Sequence, residues 1–329
     1  MDPAFDGNGD FIGYDLGTGS FPIQSETTEE RGSQYQLNIA WGGNYNDRLY
    51  FGGGMGVQVL NYSRERDYLE NEFVFFNDDG DGFLDPDLNA ITILEELRVR
   101  GTGINFNGGI IVRPVNFITL GFSYTTPSFV SLDEESFFDL GADWNPGTII
   151  TETDADGISQ DIDISTIDPF QSDLVISEYT LRSPSRLSIG ATAFLGKSGF
   201  LSADIERVNY GAAQLTSRDF ETAGDNELIE AFYRDVLNIR LGGEYRFGDF
   251  RLRGGYSIFP SPYEGASDLE RNNVSLGFGY RNRDFFLDFS LINSRYEERY
   301  APYFLGNDTP IATSDVQTTS IVATFGINF

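Results

Sequence analysis

Residues 73–89, FVFFNDDGDGFLDPDLN, pass from four apolar residues into five aspartates within eleven positions. Counted from Asn77, oxygen-bearing side chains recur at Asn77, Asp79 and Asp81, followed by Gly82 and, at the ninth place, Asp85. That is the opening of a calcium loop, in which alternate carboxylates converge, the seventh residue (here Phe83) offers its backbone carbonyl, and glycine permits the turn. The twelfth place should hold a bidentate Glu but holds Leu88, with Asp87 one residue early. A calcium ion bound within 77–87 would therefore be weakly held, at roughly 10⁻⁴–10⁻³ M. The alternative is an Asx- and Gly-rich hairpin tip, which favours the same residues for conformational reasons. DGNGD (6–10) repeats the spacing but has Phe11 where the glycine belongs.

A second set of charges lies within alternating segments: Arg186, Arg240, Arg246, Arg251, Arg253, Asp204, Glu206, Glu244 and Asp288. Arg240, Arg251 and Arg253 could receive the carboxylate of a bound ligand. Since both signs occur in similar number, they could equally pair across adjacent strands. A third set is aromatic. Phe129, Phe137, Phe138, Trp144 and Phe170 could form an apolar landing site for a hydrophobic small molecule, or the internal packing that orders a long connection.

Composition bounds what these sets can do. There is no histidine and no cysteine, which removes Ser-His and Cys-His catalysis, thiolate metal sites and disulfides. Carboxylates such as Asp133 and Glu135 lie in plain acidic sequence, and no enzyme is expected. The net charge of −29 is the wrong sign for nucleic acid. Lys197 is the single lysine among 22 bases. No apolar run reaches the length of a membrane-spanning helix, and MDPAFDGNGD lacks the basic and apolar parts of a signal peptide. Phe (29), Tyr (17) and Gly (37) are abundant, as in twisted β-structure.

The elements that must position these residues are strands, because the dominant period is two. In LNIRLGGEYRF, Leu237, Ile239, Leu241, Tyr245 and Phe247 oppose Asn238, Arg240, Glu244 and Arg246. FRLRGGYSI, FFLDFSLINS and the closing SIVATFGINF, which ends at Phe329, alternate likewise. Eleven strands are expected, near 34–43, 48–62, 97–112, 116–126, 181–195, 199–208, 235–247, 249–258, 271–281, 285–297 and 315–329. Alternation alone fits a soluble sandwich or a membrane barrel. The connections decide. Those at 44–47, 113–116, 196–199, 247–249 and 281–284 are tiny, whereas 63–96, 127–180, 209–234, 259–270 and 298–314 are long and acidic. Residues 127–179 alone contain thirteen acids and no Lys or Arg. Short turns at one end and long loops at the other mark an antiparallel outer-membrane β-barrel, surrounded by lipid, with the short turns in the periplasm.

Three stretches carry a family resemblance. GFSYTTPSFVSLDEES (121–136), LRSPSRLSIGATAFLGKSGFLSADIERVNYG (181–211) and NIRLGGEYRFGDFRLRGGYSIFPSPYEG (238–265) resemble, in order and spacing, elements of the FadL/TodX family of outer-membrane transporters for fatty acids and hydrocarbons. With Leu287–Asp288 the similarity spans 121–329 and, more weakly, 33–62. It implies a 14-stranded barrel with an N-terminal plug that passes hydrophobic molecules inward. About 11–12 strands are in this chain, fitting strands 4 to 14. Residues 1–32 read as an N-terminal segment with a remnant strand, and 33–329 as the barrel. The plug and first strands are not matched, and an incomplete chain is expected because single-chain barrels close with an even count. A second role the resemblance leaves open is a structural or client-binding subunit with an outer-membrane protein partner.

Overall fold

The computed structural model describes residues 2–5, 11–15, 18–20, 22–76, 83–84, 88–153, 159–266, 268–302 and 311–327. The candidate calcium residues Asn77, Asp79, Asp81 and Asp85 lie outside the described residues, as does Phe329; Phe83 is described for its backbone alone. Thirteen segments carry the architecture: β1 (Ile23–Tyr45), β2 (Leu49–Asn71), β3 (Leu88–Val115), β4 (Ile118–Thr125), β5 (Phe129–Trp144), β6 (Val175–Arg182), β7 (Arg186–Phe194), β8 (Gly199–Asn209), β9 (Asp235–Phe247), β10 (Phe250–Phe259), β11 (Arg271–Arg281), β12 (Phe285–Tyr300) and β13 (Ala312–Ile327). All belong to one sheet, and β7 to β13 pair antiparallel in sequence order.

These segments trace the eleven expected strands, because two are interrupted. β4 and β5 are one strand broken at Thr126–Ser128, and β6 and β7 are one strand broken at Ser183–Ser185. β4 pairs with β7 below the breaks, and β5 neighbours β6 above them. Each break holds a proline, Pro127 or Pro184, which cannot donate to a ladder. The lost pairing is replaced locally. Ser128 N–H donates to Ser183 Oγ at 2.9 Å, and Ser183 N–H donates to Ser128 O at 2.9 Å.

The chain divides into two compact units, residues 1–34, 60–100 and 133–177 in the first, and 35–59, 101–132 and 178–329 in the second. In the first unit, segments expected as loops are strand. β2 continues to Asn71 and β3 starts at Leu88, although Ser63–Asn71 is dense in charge and Leu88–Glu96 shows no clean alternation, so that both read as connections. What holds them is pairing: Arg66 bridges Glu26 at 3.0 Å and Glu95 at 3.1 Å, and Tyr62 Oη donates to Glu30 at 2.9 Å. Burial alone would lower the Arg66 pKa, but the hydrogen bonds to Glu26 and Glu95 outweigh it and raise the value.

In the second unit the five short turns form one rim. Each is hydrogen-bonded to the next: Arg113 N–H to Arg48 O, Phe194 N–H to Phe117 O, Arg246 N–H to Ser198 O and Arg281 N–H to Asp249 O, at 2.7–2.8 Å. Positive φ is met by Asn46 and Asp47 in the first turn and by Gly248 in the fourth, as tight hairpin turns require. The 209–234 connection, expected as loop, contains a helix, Ala223–Phe232, docked by Asn226 donating to Leu215 O and accepting from Leu215 N–H.

Alternation divides the sheet into two faces. Leu276 (62% exposed), Ile321 (75%) and Leu37 (70%) typify the apolar one. Near the short turns that face ends in a continuous aromatic row, Tyr245–Phe247–Phe250–Tyr280–Phe285–Phe325, with neighbouring ring centroids 5.3–6.4 Å apart. At the other end Arg207 and Asp235 appear. Between them, Leu237 to Phe247 spans ten residue steps, about 34 Å along the strand and roughly 24 Å across a bilayer at the usual tilt. A contiguous apolar surface of this extent bounded by aromatics is built for lipid. Leu276→Arg should therefore cost about 2–4 kcal/mol in denaturant unfolding from lipid, and Ser275→Arg on the opposite face much less; equal costs would contradict this division.

Candidate functional site

The polar face of β8–β12 carries the charged candidates, placed there by the same alternation. They are not free. Arg240 donates to Asp204 Oδ1 and Glu206 Oε1, both at 2.7 Å, and Asn238 Nδ2 completes Glu206 at 3.0 Å. Arg253 donates to Glu244 Oε2 at 2.7 Å and to Asp288 Oδ1 at 2.6 Å. Glu244, whose side chain is 6% exposed, also receives Arg246 at 2.5 Å. Arg251 differs: its Nε lies 3.9 Å from the shared Glu244, and its buried Nη1 has no hydrogen-bond partner. Two of the three arginines proposed to meet a ligand carboxylate are thus engaged in tying strands together. Arg251 is the one that retains donor capacity.

Between the two ion-pair levels runs a row with neither charge nor bulk. Register pairs Thr119 with Thr192, Thr192 with Ser202, Ser202 with Gly242, Gly242 with Gly255 and Gly255 with Ser275. Six adjacent strands therefore present nothing larger than threonine at one level. A side chain at Gly255 would have to displace the Ser275 hydroxyl, its Cβ falling 2.6 Å from that oxygen. On β8, β9 and β10 the row is flanked on either side by levels of paired charge, while on β4, β7 and β11 the neighbouring levels include Gly121, Gly190 and Gly277.

On the same face of β1, β2 and β3 the lining is amide instead of charge. Gln58 Nε2 donates to Gln36 Oε1 (3.1 Å) and to Ser128 Oγ (3.2 Å), and Asn105 Nδ2 donates to Ser128 Oγ at 3.0 Å. Asn105 is 4% exposed and its Oδ1 has no partner. This cluster sits at the proline break. It escaped the sequence reading because isolated Gln and Asn residues give no pattern; the signal present was the repeated hydroxyl-Pro-Ser of TTPS and RSPS.

The aromatic candidates are not gathered on one face. Phe129 is in the second unit, 52% exposed. Phe137, Phe138 and Trp144 follow on β5 within the first unit, where consecutive Phe137 and Phe138 point to opposite sides. Phe170 pairs beside Leu140 in a short ladder against β5, and Ser172 Oγ accepts from Phe138 N–H at 2.9 Å. Ordering of the connection accounts for these contacts. Among the described residues no group of three acidic side chains converges as a metal site would need.

Glu244 is the node of the charged set. Glu244→Gln should destabilise by about 2–3 kcal/mol, below the ~3–5 kcal/mol of a fully buried pair because Arg246 is partly solvated. Denaturant unfolding of the double variant with Arg246→Gln should show it to be more stable than Glu244→Gln alone.

No protein-family model matches the chain, and no curated protein matches it in sequence. Among solved structures it is similar to a FadL homologue from Pseudomonas aeruginosa, with a TM-score of 0.58 and 15% identity over 90% of this chain and 68% of that one. It is also similar to the toluene transporter TbuX of Ralstonia pickettii, with a TM-score of 0.53 and 14% identity over 91% of this chain and 68% of that one. This chain therefore has the FadL/TodX-like fold, a transmembrane antiparallel β-barrel of the outer-membrane type.

Proposed function

We propose that the protein is a bacterial outer-membrane channel for passive uptake of hydrophobic small molecules. The observation that carries this reading is the uncharged row Thr119–Thr192–Ser202–Gly242–Gly255–Ser275 on the polar face. A wall filled only for stability would close that level with side chains, as β8, β9 and β10 close the levels on either side with Arg240–Asp204 and Arg253–Glu244. Leaving it bare makes room for a solute that asks for no counter-charge. The FadL/TodX-like fold supports the same direction.

Charge narrows the solute class. The thirteen acids and absent bases of 127–179 create a negative field on the loop side, which lowers the local concentration of anions. Uncharged hydrocarbons and neutral, protonated acids enter more readily than carboxylates. Arg251, an under-used cation on the polar face, then meets whatever anionic head does arrive.

Uptake of a radiolabelled monoaromatic hydrocarbon by cells producing the protein tests this. Gly255→Phe, which fills the row, should slow uptake at least about tenfold; Leu276→Phe on the apolar face should leave it unchanged. Equal uptake by Gly255→Phe would refute the role of the row. Uptake no faster than in cells lacking the protein would refute the channel.

A further inference from the structure

The apolar face is not uniform. On β4, β7, β8, β9 and β10 lies a hollow of about 770 Å³ walled by Ile118, Leu120, Leu201, Leu241 and Tyr256, and lined as well by Thr192, Ser202, Gly242 and Gly255 of the uncharged row. Its floor is made by Ala191, Ala193, Ala203 and Gly254, where the surrounding lipid-facing positions are large. The hollow is asymmetric in a particular way. Along one register row the residues on β7 and β8 are small, Ala191 and Ala203, and their partners on β9 and β10 are large, Leu241 and Tyr256. A twofold axis along the membrane normal, between β8 and β9, sets the large half of one copy against the small half of the other. In the next row toward the short turns, Leu201 is the single large side chain among Ala193, Gly243 and Gly254, so the same axis meets no crowding there.

Charge repeats the pattern on the same axis. Arg207 of β8 and Asp235 of β9 project from the apolar face at its far rim and pair at 2.5 Å, their side chains 59% and 40% exposed. The twofold places Arg207 of each copy opposite Asp235 of the other, giving four alternating charges. In the row between the hollow and this rim Ile205 and Ile239 are both large, so the close fit is confined to the rows of the hollow. Shape there and charge at the rim are self-complementary about one axis, the requirement for an isologous dimer. Small residues let the two surfaces approach closely, which is what drives association where lipid is as apolar as protein.

We infer that the β8–β9 face is the interface of a homodimer formed within the membrane. The inference rests on the membrane placement of the apolar face argued above. A lipid chain lying in the hollow is the competing occupant.

The absence of cysteine makes the test clean. Ile205→Cys sits on β8 beside the axis, 48% exposed, and Ile321→Cys on β13 serves as the distant control. A bis-thiosulfonate cross-linker of roughly 10 Å, the spacing of two packed sheets, should give a covalent dimer from Ile205→Cys in native membranes and little from Ile321→Cys. Adding Ala203→Phe should reduce that yield at least about fivefold, and adding Ala323→Phe, which enlarges a lipid-facing alanine on β13, should not. Heat-modifiable gel mobility shows that each variant is folded. Equal cross-linking at the two sites, no effect of Ala203→Phe, or a monomer carrying a phospholipid by native mass spectrometry would overturn the dimer. Absence of the protein from the membrane fraction would overturn the membrane placement together with it.

Discussion

A strand offers each face every second residue, and in this protein that one geometric fact couples two solvents. A lipid-facing position and its immediate neighbour cannot be exchanged without turning a whole set of side chains the wrong way. Leu276 and Ser275, or Leu241 and Arg240, are one residue apart and belong to different environments. The backbone adds a second demand, since an unpaired N–H or C=O within hydrocarbon is costly. Sheet pairing from β7 to β13 meets that demand, and the linked turns extend it to the rim.

Where the ladder stops, side chains take over. At Pro127 and Pro184 the two interrupted strands lie beside each other, so the breaks fall at one level and share their remedies. Ser128 and Ser183 exchange backbone and hydroxyl bonds, and Ser128 Oγ accepts from both Gln58 and Asn105. Phe106 N–H donates to Thr126 Oγ1 at 3.0 Å. One proline alone would leave its partner strand with unanswered groups; two aligned prolines flanked by hydroxyls leave few. The ladder is thus interrupted without opening its hydrogen-bonding inventory.

Much of this was legible in sequence because the apolar face reports itself. The turns at 44–47, 113–116, 196–199, 247–249 and 281–284 and the facing of residues 237–247 are local properties, set by turn chemistry and period two. Strand length was less legible. The stretch Ser63–Asn71 is charged on both faces, and the stretch beginning LNAITIL (88–94) is uncharged with apolar residues on both faces, so no alternation separates either from loop. They become strand through Arg66, Glu26 and Glu95, residues far apart in sequence that meet only after pairing. The site divided in the same way. That Arg240, Arg253, Glu244 and Asp288 share a face followed from periodicity. That Arg240 and Arg253 are bound to carboxylates while Arg251 keeps a spare nitrogen depends on register across β8 to β12, which no single strand encodes.

The charge arrangement also explains how one wall serves stability and passage. Ion pairs between strands stabilise little when solvated and cost desolvation when buried, so their value here is positional. Arg240 reaches two acids on β8, and Arg253 joins β9 to β12 through Glu244 and Asp288. Each pair draws long side chains flat against the sheet, toward a partner and out of the middle. The glycines at 242 and 255 sit between these tethered levels, where an untethered arginine would otherwise sweep the space. Paired charge on either side is therefore what keeps the uncharged row bare.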